Sequence, residues 1–172
     1  MTYNIHPLFV HFPIALLFIY SIIKVLPLEK WFANVSWKHI ERALLVFGTL
    51  GAFAAMTTGE IAESLSKPNH QLVEMHSTFA SASTWIYAIL LVGEILAITL
   101  PLLQNFLLKI PAVNKFLLFI HKLITDEVFS ATLAFLGLVA ISITGLLGGV
   151  MVYGTSADPV AGIVLKILGI DF

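Results

Sequence analysis

The chain has 172 residues, 59% of them hydrophobic and only 11% charged, where an ordinary soluble domain carries about 25% charged residues. Such a composition leaves too few polar side chains to cover an apolar surface in water, so it excludes a soluble fold and calls for lipid as the solvent. A net charge of −1 with no basic run argues against a nucleic-acid partner, and the absence of cysteine excludes disulfides, thiolate-held zinc or iron–sulfur clusters, and covalent c-type haem.

In lipid every backbone polar group must find its partner inside its own helix or in a closed barrel. Long uninterrupted apolar runs favour helices, because barrel strands alternate polar and apolar over about ten residues. The expected class is therefore all-α: an integral membrane four-helix bundle filling residues 1–172 as one domain. The first helix is expected at about 8–28; it has no basic residues before it and no small-residue cleavage site after it, so it reads as retained and not as a signal peptide. The second is expected at 37–65, the third at 77–103 with Pro101 near its end, and the fourth at 128–153. Each supplies the roughly 20 residues that cross a hydrocarbon core.

Two further segments are too polar or too short to span. Residues 106–126 mix apolar positions with Lys109, Lys115, His121 and Lys122, as an interfacial helix does, and 159–170 is apolar apart from Lys166. Lys24, Lys30, Lys38, Arg42, Lys109, Lys115 and Lys122 fall at one end of the expected bundle, against Lys67 and Lys166 at the other. By the positive-inside rule both termini face outward, as expected for a prokaryotic cytoplasmic membrane. Trp31 and Trp37 flank the inner end of the first hairpin, where indoles anchor at headgroup level, while Trp85 reads as packing.

Glycines mark the even helices: Gly48, Gly51 and Gly59 in the second, Gly145, Gly148 and Gly149 in the fourth. Small residues allow close helix packing, or room for a flat cofactor; glycines alone do not separate the two.

Four of the six histidines fall at the outward end: His6 and His11 open the first helix, His70 and His76 lead into the third. Five residues turn about 140° and six about 240° on a helix, so neither pair stacks on one face. With Pro7 at the first helical position, His6 is expected just outside the helix and His11 fixed on it. His70 is similarly expected in the loop after Pro68, with His76 starting the helix. Each odd helix opens with two histidines and then an aromatic (Phe12, Phe79), and each even helix carries Thr-Gly (Thr58-Gly59, Thr144-Gly145). This suggests two hairpins in parallel pseudo-repeat, with His11 and His76 at one depth on facing helices.

Neutral imidazoles on facing helices suit the axial positions of haem iron. On this reading His11 and His76 hold haem b, with His6 and His70 supporting them or binding another cofactor. The alternative is a bare transition-metal ion held by histidine with Glu60, Glu74, or the thioethers of Met56 and Met75. Glu60 and Glu63 otherwise read as ordinary helix-end charges, and His39 and His121 as solvated surface. A third reading is a structural subunit of a larger membrane complex. No nucleophile–base set or phosphate loop points to catalysis by the chain alone.

The opening His6-Pro7-Leu8-Phe9-Val10-His11-Phe12-Pro13-Ile14-Ala15 resembles the start of a family of small four-helix membrane proteins classed as a domain of unknown function, which share a His-Pro-x-x-Val-His-Phe-Pro opening. Thr58-Gly59, His70 and His76 stand where that family has a glycine-containing second helix and a later histidine pair. The resemblance covers about residues 4–100 and extends more loosely over the last helix. Some members look fused to Rieske-type or cytochrome c modules, which implies membrane electron transfer, with quinone and other redox subunits as partners.

Overall fold

The computed structural model describes residues 4–66 and 69–170, and among them there is helix and no strand. In chain order the helices are α1 (His6–Val25), α2 (Leu28–Trp31), α3 (Trp37–Ser66), α4 (His70–Leu102), α5 (Gln104–Leu107), α6 (Pro111–Thr125), α7 (Glu127–Tyr153) and α8 (Ala161–Ile167), with a 3-10 turn at Thr155–Ala157 before the last. Four of these, α1, α3, α4 and α7, are long and apolar enough to cross a membrane.

Local chemistry sets the helix ends. Pro27 disfavours helix in the residue before it; Leu26 is extended (φ −88°, ψ 145°), so α1 stops at Val25 and not at 28. The Asn69 side chain accepts a hydrogen bond from the Leu72 N–H (3.3 Å) and starts α4 at His70, two turns before the expected 77. The Asp126 carboxylate does the same for α7, accepting from the Phe129 N–H at 3.0 Å. Gly154, at φ +73°, ends α7 in a conformation that L side chains rarely adopt. The interfacial segment expected at 106–126 holds α6 and the end of α5, which begins at Gln104, and α8 lies within 159–170.

α1 runs antiparallel to α3 and α4 antiparallel to α7; these are the two most extensive pairings, followed by α1 with α7. Both pairings depend on glycine. A Cβ on Gly48 would meet Leu17 at 2.6 Å, and one on Gly137 would meet the Tyr87 ring at 2.8 Å. These are close approaches that only a missing side chain permits. The central core gathers Leu17 and Tyr20 from α1, Leu45 and Ala52 from α3, Tyr87 and Leu90 from α4, and Ala134 and Ile141 from α7. Across it the Tyr87 hydroxyl and Ser21 Oγ share a buried hydrogen bond of 2.8 Å, and the Tyr20 ring meets Tyr87 edge-on with centroids 6.1 Å apart.

Away from the histidines, two ion pairs join the helices. Lys24 on α1 reaches Glu41 on α3 (3.3 Å), and Arg42 on α3 places both Nε and a terminal nitrogen 3.0 Å from one oxygen of Glu94 on α4. α6 turns Asn114, Leu117, Ile120, His121 and Ile124 inward and leaves Lys115, Phe116, Phe119 and Lys122 exposed. Ile124 packs where Gly93 of α4 leaves space.

These contacts predict a contrast between two glycines of α7. Gly137→Val forces its side chain into Tyr87 and costs about 1–3 kcal/mol, read as a lower thermal midpoint in detergent. Gly145→Ala, whose Cβ meets nothing within 4 Å, leaves the midpoint unchanged or slightly higher.

Candidate functional site at the histidine end

His6, His11, His70 and His76 do not share one environment. His6 is the first residue of α1, not a residue outside it, and it turns toward α3. Its Nδ1 lies 3.0 Å from Thr58 Oγ1. The Thr58 hydroxyl already donates to the Ala55 carbonyl at 3.0 Å, so toward His6 it accepts, and the proton of the imidazole sits on Nδ1. His76 stands well inside α4, where its Nδ1 lies 3.0 Å from the Thr144 carbonyl of α7. A carbonyl only accepts, so His76 also carries its proton on Nδ1. In the neutral form each ring therefore keeps a lone pair on Nε2, the arrangement that metal-binding imidazoles use.

Both rings lie against glycine. A Cβ on Gly59 would stand 3.3 Å from His6 Cε1, and one on Gly148 would stand 3.3 Å from His76 Cε1. Gly145, one residue beyond Thr144, faces open space. His6 and His76 are thus the two histidines of this end that are partly buried and hydrogen-bonded to a neighbouring helix.

The other expected site residues lie elsewhere. His11 is exposed, and its Nδ1 hydrogen-bonds to the carbonyl of Pro7 in its own helix. It does not share the half-buried setting of His76. The cause is the helix frame: with His6 already on α1, the inward seam runs through 6, 10, 13 and 17, and position 11 falls beside it. His70 is the first residue of α4, not a loop residue; its side chain is 91% exposed and makes a loose 3.9 Å contact with Glu74, itself 68% exposed. Glu60 is exposed at the end of α3. Among the described residues no three His, Cys, Asp or Glu side chains converge to hold a metal ion. His39 is exposed and His121 partly buried on the inward face of α6.

Sequence reasoning did not assign roles to Thr58, the Thr144 carbonyl, or the Arg42–Glu94 pair. For Thr58 the signal was present in Thr58-Gly59; a backbone carbonyl leaves no mark in sequence. For Glu94 the available signal is a carboxylate within an otherwise apolar stretch, where an ionisable group is costly unless paired.

No family model, no curated protein and no solved structure matches the chain.

The hydrogen bonds make a prediction about protons. Nitrogen-15 spectra of selectively labelled protein show neutral His6 and His76 in the Nδ1–H form. Thr58→Val removes that preference from His6 alone. Thr144→Val leaves His76 unchanged, because the acceptor there is backbone.

Proposed function

We propose that the chain is a helical membrane protein that binds haem b at its outward end through His6 and His76 and passes single electrons within the membrane. The observation that carries this reading is the matched pair of imidazoles. They come from different long helices, each donates Nδ1–H to a neighbouring helix, and each keeps its Nε2 lone pair. The donor set suits haem better than a bare cation. A free zinc or copper ion needs about three or four protein ligands, whereas haem iron takes only its axial positions from the protein. Gly59 and Gly148 keep the ring edges clear of side chains, and the open side of Gly145 leaves room for a planar group. When bound, haem supplies reversible one-electron chemistry. Each Nδ1–H bond holds its ring in one tautomer and raises the basicity of the Nε2 that would face the iron. A lipid-soluble quinol and redox partners on the outer side are the exchange partners that this reading names.

The same proposal includes a parallel pseudo-repeat of two hairpins, now with His6 and not His11 as the counterpart of His76. The support is a shared register. The α1 seam His6, Val10, Pro13, Leu17, Tyr20, Lys24 corresponds, seventy residues on, to His76, Ala80, Ser83, Tyr87, Leu90, Glu94, and burial deepens and lessens in the same order along both. The α3 positions Leu45, Gly48, Ala52, Ala55 and Gly59 correspond, at a constant offset of 89, to Ala134, Gly137, Ile141, Thr144 and Gly148 of α7. Leu17 on Gly48 and Tyr87 on Gly137 are then equivalent contacts, as are His6 on Gly59 and His76 on Gly148.

Two measurements check the proposal. Protein purified in mild detergent after haem supplementation gives a reduced-minus-oxidised spectrum of a b-type cytochrome with near-integral haem per chain. His6→Ala and His76→Ala each lose the six-coordinate signal, whereas His11→Ala and His70→Ala keep it; a colourless wild-type protein ends the haem assignment. For orientation, the cysteine-free chain takes single reporters: in intact cells Ser64→Cys reacts with an impermeant thiol reagent, and Ser36→Cys reacts only after lysis.

A further inference from the structure

We infer that the stretch from α5 through α6 is a docking site for anionic phospholipid, in which Lys109, Lys115 and Lys122 hold lipid phosphates while the exposed aromatic face of α6 enters the acyl layer. The inference goes beyond electron transfer and does not rest on haem. It needs only that the four long apolar helices cross a bilayer.

Charge on this stretch is one-sided. Between Leu103 and Thr125 stand three lysines and no aspartate or glutamate. All three lysines are exposed, and none joins an ion pair among the described residues. The carboxylates of the same end are otherwise engaged. Glu41 is held by Lys24 and Glu94 by Arg42, and Glu29 belongs to the other hairpin, beside Lys30. The Asp126 carboxylate accepts from the Phe129 N–H, and Glu127 sits in the first turn of α7, where the helix dipole favours an anion. Three cations thus stand on one connector without compensation from within it.

The geometry of α6 sorts its side chains into three directions. One stripe, centred on Leu117 and Ile124, faces the bundle, with Ile124 in the space beside Gly93 of α4. Gly93 adjoins Glu94, so α6 lies at the end of the bundle that holds the two ion pairs. At about 100° per residue, Phe116, Phe119 and Leu123 fall within about 60° of one another and about 120° round from that stripe. Phe116 and Phe119 are each 62% exposed, an apolar face that packing on α4 leaves uncovered. Lys115 and Lys122 are seven residues apart, so they differ by only about 20° in direction and about 10 Å along the axis. They form a cationic edge beside Phe119. Lys109 stands in the turn before α6, where the buried Leu107 fixes the chain.

Neither water nor hydrocarbon alone suits this arrangement. Water leaves the phenyl rings exposed, and acyl chains leave the ammonium groups unsolvated. The boundary between headgroups and acyl chains meets both needs, with the rings directed into lipid and the lysines reaching on their long stems to the phosphates. Since no carboxylate of the connector balances the lysines, the leaflet supplies the counter-charge. A zwitterionic lipid carries a cation beside its own phosphate; phosphatidylglycerol carries none. Charge complementarity therefore selects the anionic lipid, as it does for basic clusters beside membrane-crossing helices.

The test uses the full chain in phosphatidylcholine vesicles. The cysteine-free sequence takes one reporter, Leu118→Cys, exposed near the cationic edge and carrying a fluorophore. Small amounts of spin-labelled phosphatidylglycerol or spin-labelled phosphatidylcholine then quench it. The chain with all its lysines prefers the anionic lipid by about fivefold or more, the effect of one well-placed lysine, and the preference fades in high salt as screening requires. Replacing Lys109, Lys115 and Lys122 together by Gln makes the two lipids quench alike, while replacing them by Arg keeps the preference. Lys166→Gln, at the opposite end, also keeps it. Equal quenching by both lipids before any lysine is changed overturns the inference, and so does a preference that survives the triple Gln variant. No quenching by either lipid places α6 in water and has the same consequence. Glycerol phosphate in the buffer leaves the preference intact when compared with sodium chloride of equal ionic strength. If glycerol phosphate abolishes it, the lysines bind free phosphate and not the leaflet, and the inference falls.

Discussion

Four helices long and apolar enough to cross a membrane need more than apolar surface to hold them in one arrangement, because apolar side chains gain little by leaving lipid for a bundle interior. In this chain much of that further reason passes through Tyr87. The residue belongs to α4, its ring fills the space left by Gly137 on α7, its hydroxyl bonds Ser21 on α1, and its edge receives Tyr20. One side chain thus ties three of the four long helices by a close-packed face and a directional bond. The Leu17–Gly48 contact repeats the packing half of that arrangement between α1 and α3 without the polar half. Once these two seams are set, the depth of every other inward residue follows, including the level at which the imidazoles stand.

Charge is used sparingly and in balance. Lys24, Glu41, Arg42 and Glu94 link α1 to α3 and α3 to α4 at one end as two cations against two anions. Each is partly exposed, so solvent screens these pairs and they act more as register marks than as large sources of stability. At the other end the contacts between helices are hydrogen bonds from imidazole, His6 to the Thr58 hydroxyl and His76 to the Thr144 carbonyl. The bundle therefore has an ionic end and a hydrogen-bonded end, with hydroxyls between them.

Much of this was legible in the residues. Apolar runs of sufficient length marked the four long helices, and the mix of lysine and apolar positions marked α6. What escaped was local or relational. Pro68 suggested that helix begins late, yet the Asn69 side chain caps Leu72 and brings His70 onto the helix. Which histidine faces inward depends on the frame of α1, and that frame is set by Pro13 and Leu17 meeting Gly51 and Gly48 on another helix. Counting inward at alternating steps of four and three from His6 reaches Lys24 and from His76 reaches Glu94. That count was available in the sequence but has meaning only once the facing glycines show which stripe is buried. The Thr144 carbonyl could not have been found, because any residue supplies one.

The α4–α7 pair carries a cover of its own. After Gly154 turns the chain, α8 folds back so that Ala161, Leu165 and Ile170 pack with Leu72, Leu147 and Val150, and Gln71 Nε2 donates to the Gly169 carbonyl at 3.0 Å. This hydrophobic lid lies over the α4–α7 seam beside Met75 and Phe79. The seam is therefore closed by chain that follows it in sequence, and loosening α8 also loosens the first turn of α4, the stretch that leads to His76.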